Sequence, residues 1–272
     1  MREILLSEIL SIQLDILSSV DIYCRQKGIK YFLLGGTCIG AVRHHGYIPW
    51  DDDIDIGMTR PYYERFIREY NSDQEKDPNL RVFAPELNWD YYAPYANICD
   101  TRTVLDEGSN GHHGIEIGIK IDLFPVDGIP SDLRAFHKEK EMMSKLWNAL
   151  YLKRVTIDKE RPFKWKLITF SRKFLLFPFR YSTIQKMIRR LALSNKYEDA
   201  EFAVEVVFPW KRDVMCEKCV FEDLVEIRFE NISVLIMSNY DRYLTLKYGD
   251  YMELPPEDQR IAHHGFKAFW KE

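Results

Sequence analysis

The chain has 272 residues, is 46% hydrophobic and carries a formal net charge of −4, enough for one sizeable core with appendages or two modest domains. The slight acidity argues against a general nucleic-acid binder, which would show a basic excess. Five scattered cysteines (Cys24, Cys38, Cys99, Cys216, Cys219) without a secretory signal argue against a disulfide scaffold, and no run of about 18 uncharged apolar residues is present to span a membrane, so the expectation is a cytoplasmic, soluble or peripheral protein.

Residues 3–27 place Ile4, Leu5, Ile9, Ile12, Ile16 and Val20 on or near one face, which predicts an amphipathic helix ending at Gly28. "IKYFLLGG" (29–36) predicts a short buried strand ending in a double glycine, and "TCIGAVRHHG" (37–46) a short helix directly after it. "WDDDIDIGM" (50–58) predicts a second strand, and "RPYYERFIREYN" (60–71) a helix with Pro61 in its first turn. The segment 79–124 is strand-rich: "LRVFAPE", "YYAPYANICD" and "GIEIGIKIDLFP" alternate β-branched or aromatic residues, broken by the turn-like "DEGSNGHHG". Residues 132–157 and 181–200 predict helices, and "YDRYLTLKYGDYMELPPEDQR" (240–260) a helix ending at Gly249 before a proline-stopped loop. There is no internal repeat. One composition shift stands out at 153–190, where twelve Lys and Arg face two acids, a local excess of ten that leaves the rest of the chain near −14.

Four aspartates fall within five positions of the second predicted strand: Asp51, Asp52, Asp53 and Asp55. Alternation puts Asp51, Asp53 and Asp55 on one face and Asp52, Ile54 and Ile56 on the other. Carboxylates at i and i+2 sit roughly 6–7 Å apart at the backbone and can converge on a cation. Without one, they repel and one takes up a proton. Mg²⁺ suits such a site, because it accepts one or two carboxylates and completes its octahedron with water and phosphate oxygens. A solvated acidic turn is the bland alternative for an isolated D-x-D. Two features weigh against it. Gly35-Gly36 ahead of a helix offers backbone N–H groups and a positive helix end to phosphate. Asp122, between Ile121 and Leu123, is a third acid on an alternating strand, with Glu116 of the same parity as its rival.

Strand, Gly-Gly, helix, strand with D-x-D, and a later third acid together resemble the nucleotidyltransferase-fold superfamily. Its motif fits Asp53-Ile54-Asp55-Ile56, with Asp51 a neighbour. The strings "LLGGTCIGAVRHHGYIPWDDDIDIGM" (33–58), "IDLFPVDG" (121–128) and "YLTLKYGDYMELPPEDQRIAHH" (243–264) resemble the LicD family more specifically, while residues 130–235 match loosely and "IMSNYD" replaces an expected Ala-Pro pair. The resemblance implies an α/β (α+β) fold: a nucleotidyltransferase-like mixed sheet flanked by helices. It would be divided into a catalytic core (1–130), a helical basic and aromatic insertion (131–200) and a C-terminal segment (201–272) completing the substrate site. It also implies transfer of phosphocholine from CDP-choline to a hydroxyl of a bacterial surface glycan (teichoic acid, lipopolysaccharide or capsule), releasing CMP. The alternatives are transfer of ribitol or glycerol phosphate, as in the related fukutin group, or nucleotidyl transfer proper. On this reading Asp53, Asp55 and Asp122 are catalytic and bind two Mg²⁺ or Mn²⁺ ions. Gly35, Gly36, Thr37 and Arg43 hold the donor phosphates, and Asp51, Trp50, His263 and His264 touch substrate.

Choline recognition calls for aromatic faces, and Trp50, Trp89, Tyr91, Tyr92 and Tyr95 are candidates beside their ordinary role as core. "CEKC" (216–219) lacks the two further ligands a zinc site needs. His44-His45 and His112-His113 are adjacent pairs, which in a strand point to opposite faces. In 153–190, Phe163, Trp165, Phe170, Phe174, Phe177 and Phe179 are interleaved with Lys and Arg, the pattern of a segment lying on anionic lipid, against an ordinary solvated helical face or a nucleic-acid surface. A lipid-linked acceptor would give such docking a purpose.

Overall fold

The computed structural model describes residues 1–106, 115–154, 163–208, 214–260 and 266–272. The chain begins with β1 (Glu3–Ile4), α1 (Leu6–Lys27), β2 (Phe32–Leu33), α2 (Gly35–Arg43), β3 (Asp55–Thr59) and α3 (Arg60–Glu69). It continues through β4 (Leu80–Phe83), β5 (Ala96–Asp100), β6 (Thr103–Asp106), β7 (Lys120–Ile129), α4 (Leu133–Arg154), α5 (Phe163–Leu176) and α6 (Tyr181–Ala192). The last elements are β8 (Phe202–Val204), β9 (Cys216–Glu217), β10 (Leu224–Phe229), β11 (Ile232–Met237), α7 (Tyr240–Tyr248) and β12 (Lys267–Trp270).

Among the described residues seven strands form the central sheet, in the order β2-β3-β7-β5-β4 with β8 and then β9 added beside β7. β3 and β7 are parallel and the other pairings antiparallel, so this is the mixed sheet expected of the fold. α1 stops where Gly28 turns left-handed (φ 61°) and Ile29 N–H closes onto the Cys24 carbonyl at 2.9 Å. Its apolar face (Ile9, Ile12, Ile16, Leu17, Val20) is buried in the core, together with an aromatic cluster of Tyr23, Phe66 and Tyr70. α3 lies against β3 and β7 and anchors there through a buried ion pair: Arg60 donates to both Asp127 oxygens, at 2.6 and 2.9 Å.

Several sequence expectations shift. The strand expected over 50–58 starts only at Asp55, where pairing with Asp122 of β7 begins, and β2 adds only Leu33 beside Ile56 and Phe32 beside Gly57. Asp51 instead sits in a turn, its N–H bonded to the Ile48 carbonyl at 2.8 Å. The alternation nevertheless persists past the ladder: Asp52, Ile54 and Ile56 are buried, while Asp51, Asp53 and Asp55 are half-buried. β2 is shorter than the predicted 29–36, the "GIEIGIKIDLFP" strand begins only at Lys120, and α6 ends at Ala192 rather than 200. α5 lies between the two predicted helices. Sequence reading also missed β12, which pairs with β1 and β6 and so fastens the C-terminal stretch to the N-terminal one.

Candidate active site

The parallel register of β3 and β7 sets Asp55 directly beside Asp122. Asp122 N–H donates to the Ile54 carbonyl at 2.9 Å, and Leu34 N–H to the Asp55 carbonyl at 3.0 Å, so two backbone bonds lock the acid-bearing segments together. Asp55 N–H donates to Thr37 Oγ1 at 2.8 Å, which ties the first turn of α2 to the same strand. At that turn a side chain on either glycine would meet a carboxylate. A Cβ on Gly35 would lie 3.0 Å from Asp55 Oδ2 in a left-handed conformation (φ 55°), and one on Gly36 would collide with Asp51 Oδ2. Asp51, Asp55 and the N-terminus of α2 are therefore in immediate contact.

This crowding has an electrostatic signature. Burial, followed by the charges of Asp53, Asp122 and Asp51, pushes the Asp55 carboxyl well above the usual carboxylate range, and Lys247 only partly offsets them. Asp122 is oriented from two sides: Lys120 Nζ donates to its Oδ1 at 2.5 Å and Asn97 Nδ2 bonds the same oxygen. Asn97 is itself fixed by the hydroxyls of Tyr91 and Tyr92, the latter at 2.9 Å. Glu116, the rival third acid, points to the surface and pairs with Lys271 at 2.8 Å.

Beneath the glycines lies a buried triad that sequence reading missed. Tyr243 Oη donates to Glu205 Oε1 at 2.5 Å, and Lys247 Nζ donates to Glu205 Oε1 at 3.0 Å and to Tyr243 Oη at 2.6 Å. Gly35 N–H in turn reaches Tyr243 Oη at 3.4 Å. Burial lowers the Lys247 pKa, opposed by Glu205 and Asp55. Lys247 and Tyr243 are one helical turn apart on α7, a readable signal, but Glu205 comes from the loop after β8, and only the tertiary fold brings it there.

A cavity of about 340 Å³ opens beside the carboxylates. Asp53, Asp122 and Lys120 line one part of it; Tyr92, Tyr95, Trp147, Tyr151, Tyr181 and Arg154 line the rest. The Arg154 guanidinium lies over the Tyr92 ring, 5.3 Å from its centroid, and its Nε–H has no hydrogen-bond partner among the described residues. Of the other aromatic candidates, Tyr91 is fully buried, Trp89 lies beneath Lys186 at 5.5 Å, and Trp50 is held edge-on by His44 and covered by Arg260 at 5.5 Å.

Arg43 ends α2 at the opposite pole from the glycines, and its Nη1 donates to the Tyr251 and Glu253 carbonyls at 2.5 and 3.1 Å. The structure thus places it as a strap on the loop after α7, away from the helix N-terminus where phosphate was expected. His263 and His264 lie outside the described residues, as do His112 and His113. Cys216 is buried and Cys219 exposed.

The donor set fits a divalent cation in kind: Asp53, Asp55 and Asp122 supply hard oxygen ligands, and their mutual repulsion is what a bound cation relieves. Among the described residues no three ligating side chains close around one point in this structure. Asp122 is held instead by Lys120, Nζ to Oδ1 at 2.5 Å.

Acids on two adjacent parallel strands, at the N-terminus of a glycine-led helix in a mixed sheet, define the nucleotidyltransferase-like class of α/β domain. Consistent with that geometry, a family model described as "LicD/FKTN/FKRP, nucleotidyltransferase domain" matches residues 28–171. The chain is also 30% identical over 276 aligned positions to the lipopolysaccharide cholinephosphotransferase LicD of Haemophilus influenzae, covering 99% of each. Shorter likenesses are 58% identity over 33 residues (12% of each chain) to an uncharacterized Rickettsia prowazekii protein, and 52% over 31 residues to the human ribitol 5-phosphate transferase FKRP, 11% of this chain and 6% of that one. The chain belongs to the LicD family.

Proposed function

We propose that this protein transfers phosphocholine from CDP-choline to a hydroxyl of a bacterial cell-surface glycan, releasing CMP, with two Mg²⁺ or Mn²⁺ ions in the site. The observation that carries the reading is the register that sets Asp55 beside Asp122 at the Gly35–Gly36 end of α2, in a chain similar along its whole length to a lipopolysaccharide cholinephosphotransferase. Teichoic acid and capsule precursors are acceptors of the same chemistry as lipopolysaccharide. Under the same proposal the acceptor is carried on a lipid and the enzyme works at the cytoplasmic face of the membrane.

The roles follow from position. Backbone N–H groups at Gly36 and Thr37, with the positive end of α2, bind the donor diphosphate. Asp53, Asp55 and Asp122 would hold the metal, which when bound neutralises charge on the phosphate oxygens. Asn97 and Lys120 orient Asp122, and the Glu205–Tyr243–Lys247 triad supports the glycine turn from below. The acceptor hydroxyl attacks the choline-bearing phosphorus in line with the departing CMP. Asp53, which precedes β3 and opens into the cavity where Asp55 does not, takes its proton. The aromatic wall of that cavity excludes water, which would otherwise compete as acceptor.

A second reading has its own support. The likeness to FKRP, and a guanidinium already lying on the Tyr92 face, suit a polyol phosphate such as ribitol or glycerol phosphate in place of a quaternary ammonium. Donors labelled separately in the alcohol and in the cytidine decide between the possibilities. CDP-choline should pass its alcohol label, with phosphate, to the glycan and leave labelled CMP in solution. Transfer from CDP-ribitol or CDP-glycerol alone would replace choline, and cytidine label appearing on the acceptor would overturn phosphotransfer altogether.

A further inference from the structure

Among the described residues, Phe170, Phe174, Phe177 and Phe179 are 60, 70, 82 and 48% exposed. Phe170 and Phe174 are four apart and share one face of α5. Phe177 continues the row where the chain turns, its N–H on the Phe174 carbonyl at 3.1 Å. Lys164 and Arg180 are exposed at the two ends of this segment, and α6 adds exposed Arg190 beside Met187. The opposite face of α6 is committed to the core: Ile184 and Ile188 are buried, and Gln185 Nε2 donates to the Tyr91 and Ala93 carbonyls at 2.7 and 2.8 Å. One side of α6 therefore holds the protein while the other, with the α5 phenylalanines, faces outward. A cluster of exposed large rings is unusual on a surface with no partner.

The charge selects the occupant. No acid occurs between 163 and 190, and Lys164, Arg180, Lys186 and Arg190 are exposed, so a second copy of the same face would meet it with like charge. A duplex backbone would satisfy the cations and leave Met187 and the row of rings largely in water, and the chain's net charge of −4 lacks the basic excess of a nucleic-acid binder. An anionic bilayer surface satisfies both, with rings at the headgroup–acyl boundary and Lys/Arg on lipid phosphates. No described helix is long and apolar enough to cross a membrane, so the contact is interfacial. We propose that the outer face of α5 and α6, centred on Phe170, Phe174 and Phe177, docks on an anionic membrane. α4 contacts both helices, and its end residues Trp147, Tyr151 and Arg154, with Tyr181 of α6, line the cavity. Docking there would bring a lipid-linked acceptor to the cavity, a purpose that rests on the transferase reading above.

Flotation of the full chain tests the proposal directly. The protein should rise with vesicles of mixed phosphatidylglycerol and phosphatidylcholine, stay behind with phosphatidylcholine alone, and be released by high salt. Phe174→Ser with Phe177→Ser, and separately Lys173→Glu with Arg180→Glu, should each lower the bound fraction at least about tenfold. Melting temperature and transfer to a soluble acceptor should not change in either variant. Failure of the wild type to bind anionic vesicles, unchanged binding by both variants, or a dimer that the phenylalanine variant dissolves would overturn it. Normal flotation by a protein inactive with every CDP donor would sink the activity reading and leave this one standing.

Discussion

β7 carries two buried acids five residues apart, on opposite faces, and the fold treats them in opposite ways. Asp127 is met by Arg60, and the surrounding network is nearly balanced: Arg60 and Arg189 face Asp127, Glu64 and Glu86, with Arg189 on Glu64 at 2.7 Å. Asp122 stands beside Asp55, which Asp53 and Asp51 also crowd, with Lys120 bonded to Asp122 and Lys247 already engaged by Glu205. The first cluster fastens α3 and α6 to the sheet. The second stores repulsion that a cation and phosphate donor would relieve. Both acids are buried, so it is the charges around them that differ: arginines meet Asp127, and further carboxylates crowd the Asp55–Asp122 pair.

Substitution should split the two clusters cleanly. Asp55→Asn is expected to lower transfer on the order of 10³-fold, since metal-assisted charge stabilisation is worth several kcal/mol, while the circular dichroism spectrum stays native. Asp127→Asn strands Arg60 and should cost about 3–5 kcal/mol in denaturant unfolding, with near-normal turnover in the fraction that remains folded. If Asp127→Asn lost activity without losing stability, the contrast between the clusters would fail.

Asn97→Leu is the intermediate case. It removes the amide that orients Asp122 without touching a proposed ligand. Turnover should fall about 10–100-fold, with the metal requirement shifted to higher concentration, as for other groups that hold a metal ligand in place. An unchanged metal titration curve would make Asn97 a packing residue only.

The smallest effect concerns stability without metal. Asp55 binds its proton more tightly folded than unfolded, so in chelator the stability it withholds at neutral pH returns as pH falls toward its raised pKa. Asp55→Asn should therefore melt roughly 2–4 °C higher than the wild type at neutral pH in chelator, and show a flatter pH dependence. A lower melting temperature would mean that the carboxylates are already compensated.

The parts of this site legible in the sequence are those set by local rules. Gly28 ends α1, Gly35-Gly36 opens α2, and alternation around Ile54 and Ile56 marks Asp53 and Asp55, although the ladder begins only at Asp55. Asp122 could be nominated by parity but not chosen over Glu116, because the choice depends on the register of β3 against β7, and these strands are more than sixty residues apart. The same limit hid Asn97, the Glu205–Tyr243–Lys247 triad and the pairing of β12 with β1. Arg43 shows the reverse error: its spacing from the glycines suggested phosphate, yet a helix of nine residues carries it to the far end, onto the carbonyls of Tyr251 and Glu253.

The most direct test of the acidic cluster is a thermal-shift titration with Mg²⁺, with and without CDP-choline, on the wild type and on Asp53→Asn. Stabilisation should grow with Mg²⁺ and grow further when the donor is added, by about 2.7 kcal/mol at a hundredfold excess over the dissociation constant. Both increments should vanish in Asp53→Asn. A wild type indifferent to Mg²⁺, or a variant that responds as the wild type does, would contradict the account.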